Sequence, residues 1–217
     1  MPSKPRPTFE TKNETQKEFS RLADDHSYVF QIGPAGTGKT FAAVAKAVAL
    51  HKAKRIHKII ICRPAVGAGE SNGFTPGTLE EKLAAWLRPI YAALEKAGGP
   101  TYRNGSFVEF RTFEHMRGDT LDDAAIVVDE AQNCSYEQLK MVLTRLGEDS
   151  KMFISGDLEQ CDLRPRDRGG LELILRLLAG DEDFPVVTYC DSDNLRHPLV
   201  GKLTRIFSQH AASLVRT

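Results

Sequence analysis

The chain is poor in cysteine and tryptophan, with four and one respectively in 217 residues. Cys62, Cys134, Cys161 and Cys190 are 72, 27 and 29 positions apart, with no Cys-x-x-Cys pair and no histidine at ligand spacing. That pattern argues against a zinc site and against a disulfide framework, and it suits free thiols in a reducing cytosol. No apolar run approaches the ~20 residues that cross a bilayer. The opening MPSKPRPTFETKNE lacks the apolar stretch of a signal peptide, so a cytoplasmic location with no membrane partner is expected. Charge of one sign is lacking as well: 29 basic and 29 acidic side chains sum to zero, which excludes a simple polycation that coats nucleic acid through bulk charge.

With 41% hydrophobic and 27% charged residues, the chain has the composition of a soluble globular protein, and its length suits one ordinary α/β domain. The charges are unevenly spread. Residues 1–60 carry 11 basic and 5 acidic groups, and residues 121–160 carry 3 basic and 9 acidic. Cation and anion sites can therefore occupy different parts of one fold, although solvated helix faces produce the same imbalance.

Residues 1–13 are polar and proline-rich and read as a loose arm, residues 14–210 as the domain, and 211–217 as a tail. Apolar runs at Tyr28–Ile32, Lys58–Cys62, Ala125–Asp129, Met152–Ser155 and Val186–Tyr189 read as strands. They alternate with helix-like stretches at Glu14–Ala23, Lys39–Leu50, Leu79–Lys96, Ser135–Leu146, Gly170–Ala179 and Pro198–Phe207. Strands that are apolar throughout and separated by helices predict a mostly parallel sheet with helices on both faces. Phe107–Arg111, after the polar turn Gly98–Gly105, reads as an edge strand or part of an insertion, and Val66–Thr78 as a long loop.

Directly after the first strand stands Gly33-Pro34-Ala35-Gly36-Thr37-Gly38-Lys39-Thr40, which fits the phosphate-binding pattern Gly-x4-Gly-Lys-Ser/Thr and opens a helix. Its glycines let successive backbone N–H groups point inward, the helix N-terminus adds its positive dipole end, Lys39 reaches the β- and γ-phosphates of ATP, and the Thr40 hydroxyl binds Mg²⁺. A second signal is the apolar strand ending in Asp129-Glu130-Ala131-Gln132. Asp129 at the strand's C-terminal end suits Mg²⁺, and Glu130 suits activation of a water for attack on the γ-phosphate. Alone, such a strand end reads first as a salt bridge; paired with the phosphate-binding pattern it reads as a metal and water site. Gln160, in Ser155-Gly156-Asp157-Leu158-Glu159-Gln160, has an amide able to meet both a γ-phosphate oxygen and the attacking water. Gln16, seventeen residues before Gly33, has the donor and acceptor pair that matches adenine, although an exposed helical glutamine is the commoner case.

These pieces, in this order, resemble the PhoH family of P-loop ATPases, whose core is similar to the first motor lobe of superfamily 1 helicases. The resemblance rests on GPAGTGKT (33–40), RPAVGAGE (63–70), GFTPG (73–77), MRG (116–118), DEAQN (129–133), SKMFISGDLEQCDL (150–163) and RHPLV (196–200), and runs from about Gln16 to Phe207. It implies a RecA-like ATPase domain, cytoplasmic, tied in bacteria to RNA metabolism and phosphate-starvation regulons. The chain departs from the family at Arg164-Pro165-Arg166-Asp167-Arg168-Gly169-Gly170-Leu171, where a Ser-Gly-Leu after an Asp-Leu-Pro segment is usual.

The helicase likeness carries a consequence of length. Superfamily 1 motors place ATP between two lobes, and 217 residues make only one. Efficient hydrolysis then calls for a second copy, a head-to-tail ring with a hexamer favoured by analogy, and an arginine delivered in trans. Arg196 is the first choice for that arginine, with Arg164, Arg166 and Arg168 behind it. Arg63, Phe74, Arg111 and Arg117 correspond in order to helicase segments that follow a single strand of RNA or DNA. The competing readings are a nucleotide-dependent switch that controls a protein partner and, more distantly, a small-molecule kinase.

Overall fold

The computed structural model describes residues 8–64, 79–203 and 206, with side chains described outside 79–86, 114 and 115. The expected loop Val66–Thr78, Phe74 with it, and the tail 211–217 lie outside the described residues. The elements run α1 (Glu14–Asp25), β1 (Tyr28–Ile32), α2 (Lys39–Lys52), β2 (Lys58–Cys62), α3 (Leu79–Gly98), α4 (Pro100–Arg103), β3 (Val108–Arg111), β4 (Ala124–Val128), α5 (Tyr136–Leu143), β5 (Lys151–Gly156), α6 (Gly170–Leu177) and β6 (Val186–Thr188). Residues 198–203 and 206 are helical as well.

The six strands form one sheet in the order β3-β2-β4-β5-β1-β6, and each neighbouring pair is parallel. The expected alternating run at Phe107–Arg111 is an edge strand, and the sheet is parallel throughout rather than mostly so. Side chains leave alternate faces of a strand, and here both faces are buried. Val29, Ile59, Ile61, Ala125, Val127 and Phe153 pack against α1, α2 and α3 in one core. Phe30, Ile60, Ile126, Val128, Met152 and Ile154 pack against α5 and α6 in the other. Each of these side chains except the smaller Ala125 stabilises the fold by roughly 1.5–3 kcal/mol relative to exposure, which explains why the strands read as unbroken apolar runs.

Local signals set the helix starts. The Asn13 side chain accepts from Gln16 N–H at the start of α1, and Ser135 and Gln138 form a reciprocal capping box at the start of α5. α5 stops at Leu143, short of the expected Leu146, because Leu146 is drawn into a bridge with Leu121. The expected turn at Gly98–Gly105 contains α4, with Pro100 in its first turn.

An ion pair joins α1 to α2. Lys46 Nζ lies 2.8 Å from Asp24 Oδ1, with the two side chains 0% and 8% exposed. Lys46 also donates to Ser20 Oγ. Removing one member of such a pair leaves its partner's charge in a low-dielectric setting. Asp24→Ala is therefore expected to lower the unfolding free energy by about 3–5 kcal/mol, read as a shifted urea midpoint at unchanged slope.

Candidate active site

A parallel sheet presents the C-terminal ends of all its strands at one edge, and Lys39, Thr40, Arg63, Asp129, Glu130 and Gln160 follow the ends of β1, β2, β4 and β5. They line a cleft of about 450 Å³, a size suited to a small ligand. β5 separates β1, which leads into the P-loop, from β4, which leads into Asp129. The loop is tied to that intervening strand by Gly33 N–H donating to Gly156 O at 3.2 Å.

The P-loop is curled. Gly38 caps α2 in the left-handed conformation (φ 83°), and Gly36 has φ 88°, a region in which a side chain is strained. The Lys39 ammonium donates to Gly33 O at 2.6 Å and Pro34 O at 2.8 Å, so it rests on the loop's own carbonyls. Burial holds its pKa below the ordinary lysine value, opposed by Asp157, Glu130 and Asp129 and assisted by Arg196.

Thr40 Oγ1 donates to Asp129 Oδ1 at 2.7 Å, which brings the two residues expected to hold Mg²⁺ together from the start of α2 and the end of β4. Asp129 is 3% exposed, and its pKa is pushed up to about 6 by burial and then by the charge of Glu130, against the Thr40 hydrogen bond and Arg63. A nearby cation relieves that cost. Asp157 adds a second buried carboxylate. Its Oδ1 accepts from Glu159 N–H, whereas its Oδ2 is buried with no hydrogen-bond partner among the described residues. Hard oxygen donors in contact, beside a spare buried carboxylate oxygen, suit Mg²⁺, so the residues present fit that ion.

Glu130 occupies the left-handed region (φ 55°), unusual for a residue with a side chain. Its Oε1 lies 3.2 Å from Arg63 Nη2 and its Oε2 accepts from Gln132 Nε2 at 2.6 Å. Gln160 is exposed on the wall of the same cleft, and its N–H donates to Asp157 O at 3.2 Å. Lys39, Thr40, Asp129, Glu130 and Gln160 thus share one cleft.

Several residues stand elsewhere than expected. Arg196, expected to reach a second copy, lies over its own P-loop, where a Cβ on Gly36 would meet its Cδ and Nε at 2.8 Å. The chain after β6 folds back to put it there, with Leu195 N–H donating to Gly36 O at 2.9 Å and Asn194 Nδ2 to Ala35 O at 3.5 Å. The Gln16 amide is 0% exposed and engaged by the protein, accepting from Lys12 N–H at 2.9 Å and donating to Thr37 O at 3.1 Å. In this arrangement it braces the P-loop rather than presenting a free edge to adenine.

Arg63, expected on a nucleic-acid path, faces Asp129 and Glu130 inside the cleft, because β2 pairs with β4 in a register that sets Cys62 opposite Val128. Arg111 is ion-paired with Glu109 and Asp119 on the edge strand, and Arg117 is exposed. Arg164, Arg166 and Arg168 are exposed on the turn after β5. The sequence reading missed Gln132 and Asp157. Their only local signal is that they adjoin Glu130 and Gln160 within the two strand-end motifs.

No helix among the described residues is long and apolar enough to cross a membrane. Relatives include a "PhoH-like protein" of Bacillus subtilis, 43% identical over 206 residues and covering 93% of this chain and 65% of that protein. A "PhoH-like protein" of Mycobacterium leprae is 42% identical, covering 94% of this chain and 59% of its own length. "Protein PhoH" of Escherichia coli is 34% identical, with 91% and 57% covered. The chain thus spans about three fifths of the length of these relatives. Among solved structures, the Pif1 helicase of Candida albicans aligns with TM-score 0.39 and 12% identity over 84% of this chain and 41% of its own, a likeness too distant to bear on function. The family profile described as "PhoH-like protein" matches residues 8–208, and with these relatives it shows that the chain belongs to the PhoH family.

Proposed function

We propose that the chain binds ATP with Mg²⁺ in this cleft, hydrolyses it, and couples turnover to contact with a single strand of nucleic acid, RNA before DNA, in the cytoplasm. The observation that carries the reading is the 2.7 Å contact between Thr40 and Asp129 with Glu130 and Gln160 on the same cleft wall. The P-loop N–H groups and Lys39 bind the β- and γ-phosphates, which requires the Lys39 ammonium to leave the carbonyls of Gly33 and Pro34. Thr40 and Asp129 would hold Mg²⁺, which neutralises phosphate charge when bound. Glu130 takes a proton from the attacking water, and the Gln160 amide orients that water against the γ-phosphate. Gln16 acts on the nucleotide through the P-loop it braces.

Arg196 meets phosphate charge from within its own chain in this scheme. A head-to-tail ring, with six copies favoured, would then draw its trans arginine from Arg164, Arg166 or Arg168. Arg117, Arg111 and Phe74 remain the proposed contacts to the strand, acting on phosphates and by stacking, without reading sequence.

These roles and the proposed contact with RNA give three expected outcomes. In equilibrium binding and phosphate-release assays, Lys39→Ala loses nucleotide affinity. Glu130→Gln instead keeps ATP affinity within about threefold and slows turnover by about 10²-fold or more. Normal turnover by Glu130→Gln would remove its role as base. Single-stranded RNA at low salt should raise phosphate release by the unaltered chain, with an effect that weakens steeply as salt rises. RNA that neither binds nor stimulates would favour a switch acting on a protein partner.

A further inference from the structure

Glu130 is held from two sides by groups that come from different strands. Arg63 follows β2, and the pairing of Cys62 with Val128 sets it beside the two acids that follow β4. Its Nη2 lies 3.2 Å from Glu130 Oε1 and its Nε 3.7 Å from Asp129 Oδ2, with the side chain only 16% exposed. The other oxygen of Glu130 accepts from Gln132 Nε2 at 2.6 Å. Gln132 is itself buried, and its Oε1 accepts from the backbone N–H of Asp157 at 3.0 Å. That second bond fixes the amide's orientation, because a backbone N–H can face only the oxygen, which turns the NH₂ toward the carboxylate.

A glutamate at the rim of a cleft, with its side chain 37% exposed, has three rotatable bonds and many competing rotamers. A general base must lie within hydrogen-bond reach of one water, and a displacement of about 1 Å can cost about 10²-fold in rate. We propose that Arg63 is a positioning residue of the hydrolytic centre: with Gln132 it clamps the Glu130 carboxylate over the phosphate pocket. The inference rests on the reading of Glu130 as the base. It also removes Arg63 from the nucleic-acid path, since a guanidinium engaged by two carboxylates is not free for phosphates of a strand.

The test compares steady-state ATP hydrolysis, binding of a non-hydrolysable ATP analogue and binding of a single-stranded RNA oligonucleotide for Arg63→Ala, Arg63→Lys, Glu130→Gln and the double variant Arg63→Ala/Glu130→Gln. Arg63→Ala is expected to lower kcat by about 10- to 100-fold, with KM and analogue affinity within about threefold and oligonucleotide affinity unchanged. Arg63→Lys keeps the charge without the fork and recovers part of the loss. In the Glu130→Gln background, Arg63→Ala costs less than about twofold, because a residue that acts through another has no separate effect once that other is gone.

An unchanged kcat in Arg63→Ala overturns the proposal. So does a loss that multiplies independently onto Glu130→Gln, a loss of analogue affinity in both Arg63 variants, or a loss confined to oligonucleotide affinity. Unaltered protein that binds ATP and releases no phosphate overturns the functional reading, and this inference with it. A failure limited to Arg63 leaves that reading standing.

Discussion

Thr40 and Asp129 are 89 positions apart in the chain, and their 2.7 Å hydrogen bond exists because β1 and β4 run in the same direction with β5 between them. Parallel strands deliver their C-terminal ends to one edge, so a P-loop, two acids and the turn at Asp157–Gln160 meet without any long loop. The buried apolar strands hold that edge fixed, and this rigidity is what lets short motifs act as a site. The charge follows from the same constraint. Asp129, Glu130 and Asp157 face Lys39, Arg63 and Arg196 across one cleft, so the net charge of zero conceals a local concentration of both signs.

The P-loop is supported on several sides. Gln16 bonds Thr37 from α1, Gly156 accepts from Gly33 beneath it, and residues 194–196 lie across Ala35 and Gly36. The segment 190–196 is in turn joined to the start of α1, where Thr15 Oγ1 donates to Asp193 Oδ1 at 2.9 Å and Asn13 Nδ2 to Asp193 O at 3.2 Å. The amino-terminal helix and the segment after β6, remote in sequence, thus brace the loop that would carry phosphate. Movement of Lys39 or Arg196 on ligand binding would be felt in both, because the contacts form one continuous network.

Elements whose formation depends on neighbouring residues were readable from the amino-acid order. β1 and β2 run over Tyr28–Ile32 and Lys58–Cys62 as expected, since both are apolar runs bounded by polar residues. The P-loop was legible because its glycines and Lys39 act locally, and Asp129 because a strand end fixes where a carboxylate goes. What depends on tertiary contacts was not legible. Leu146 leaves its helix for a bridge to Leu121, Arg63 is assigned to the acids by sheet register, and Arg196 reaches Gly36 through a fold-back after β6. Gln132 looks like any polar residue after a strand. Its value comes from Asp157, which stands 25 positions later.

In the proposed reaction a single cleft both binds and cleaves ATP. The most direct measurement is release of inorganic phosphate from ATP by the purified chain, followed with Mg²⁺ and again with the ion chelated. The expected result is steady release that stops on chelation and resumes when Mg²⁺ is restored. Tight ATP binding with no phosphate release at any Mg²⁺ concentration, with or without RNA, would contradict it.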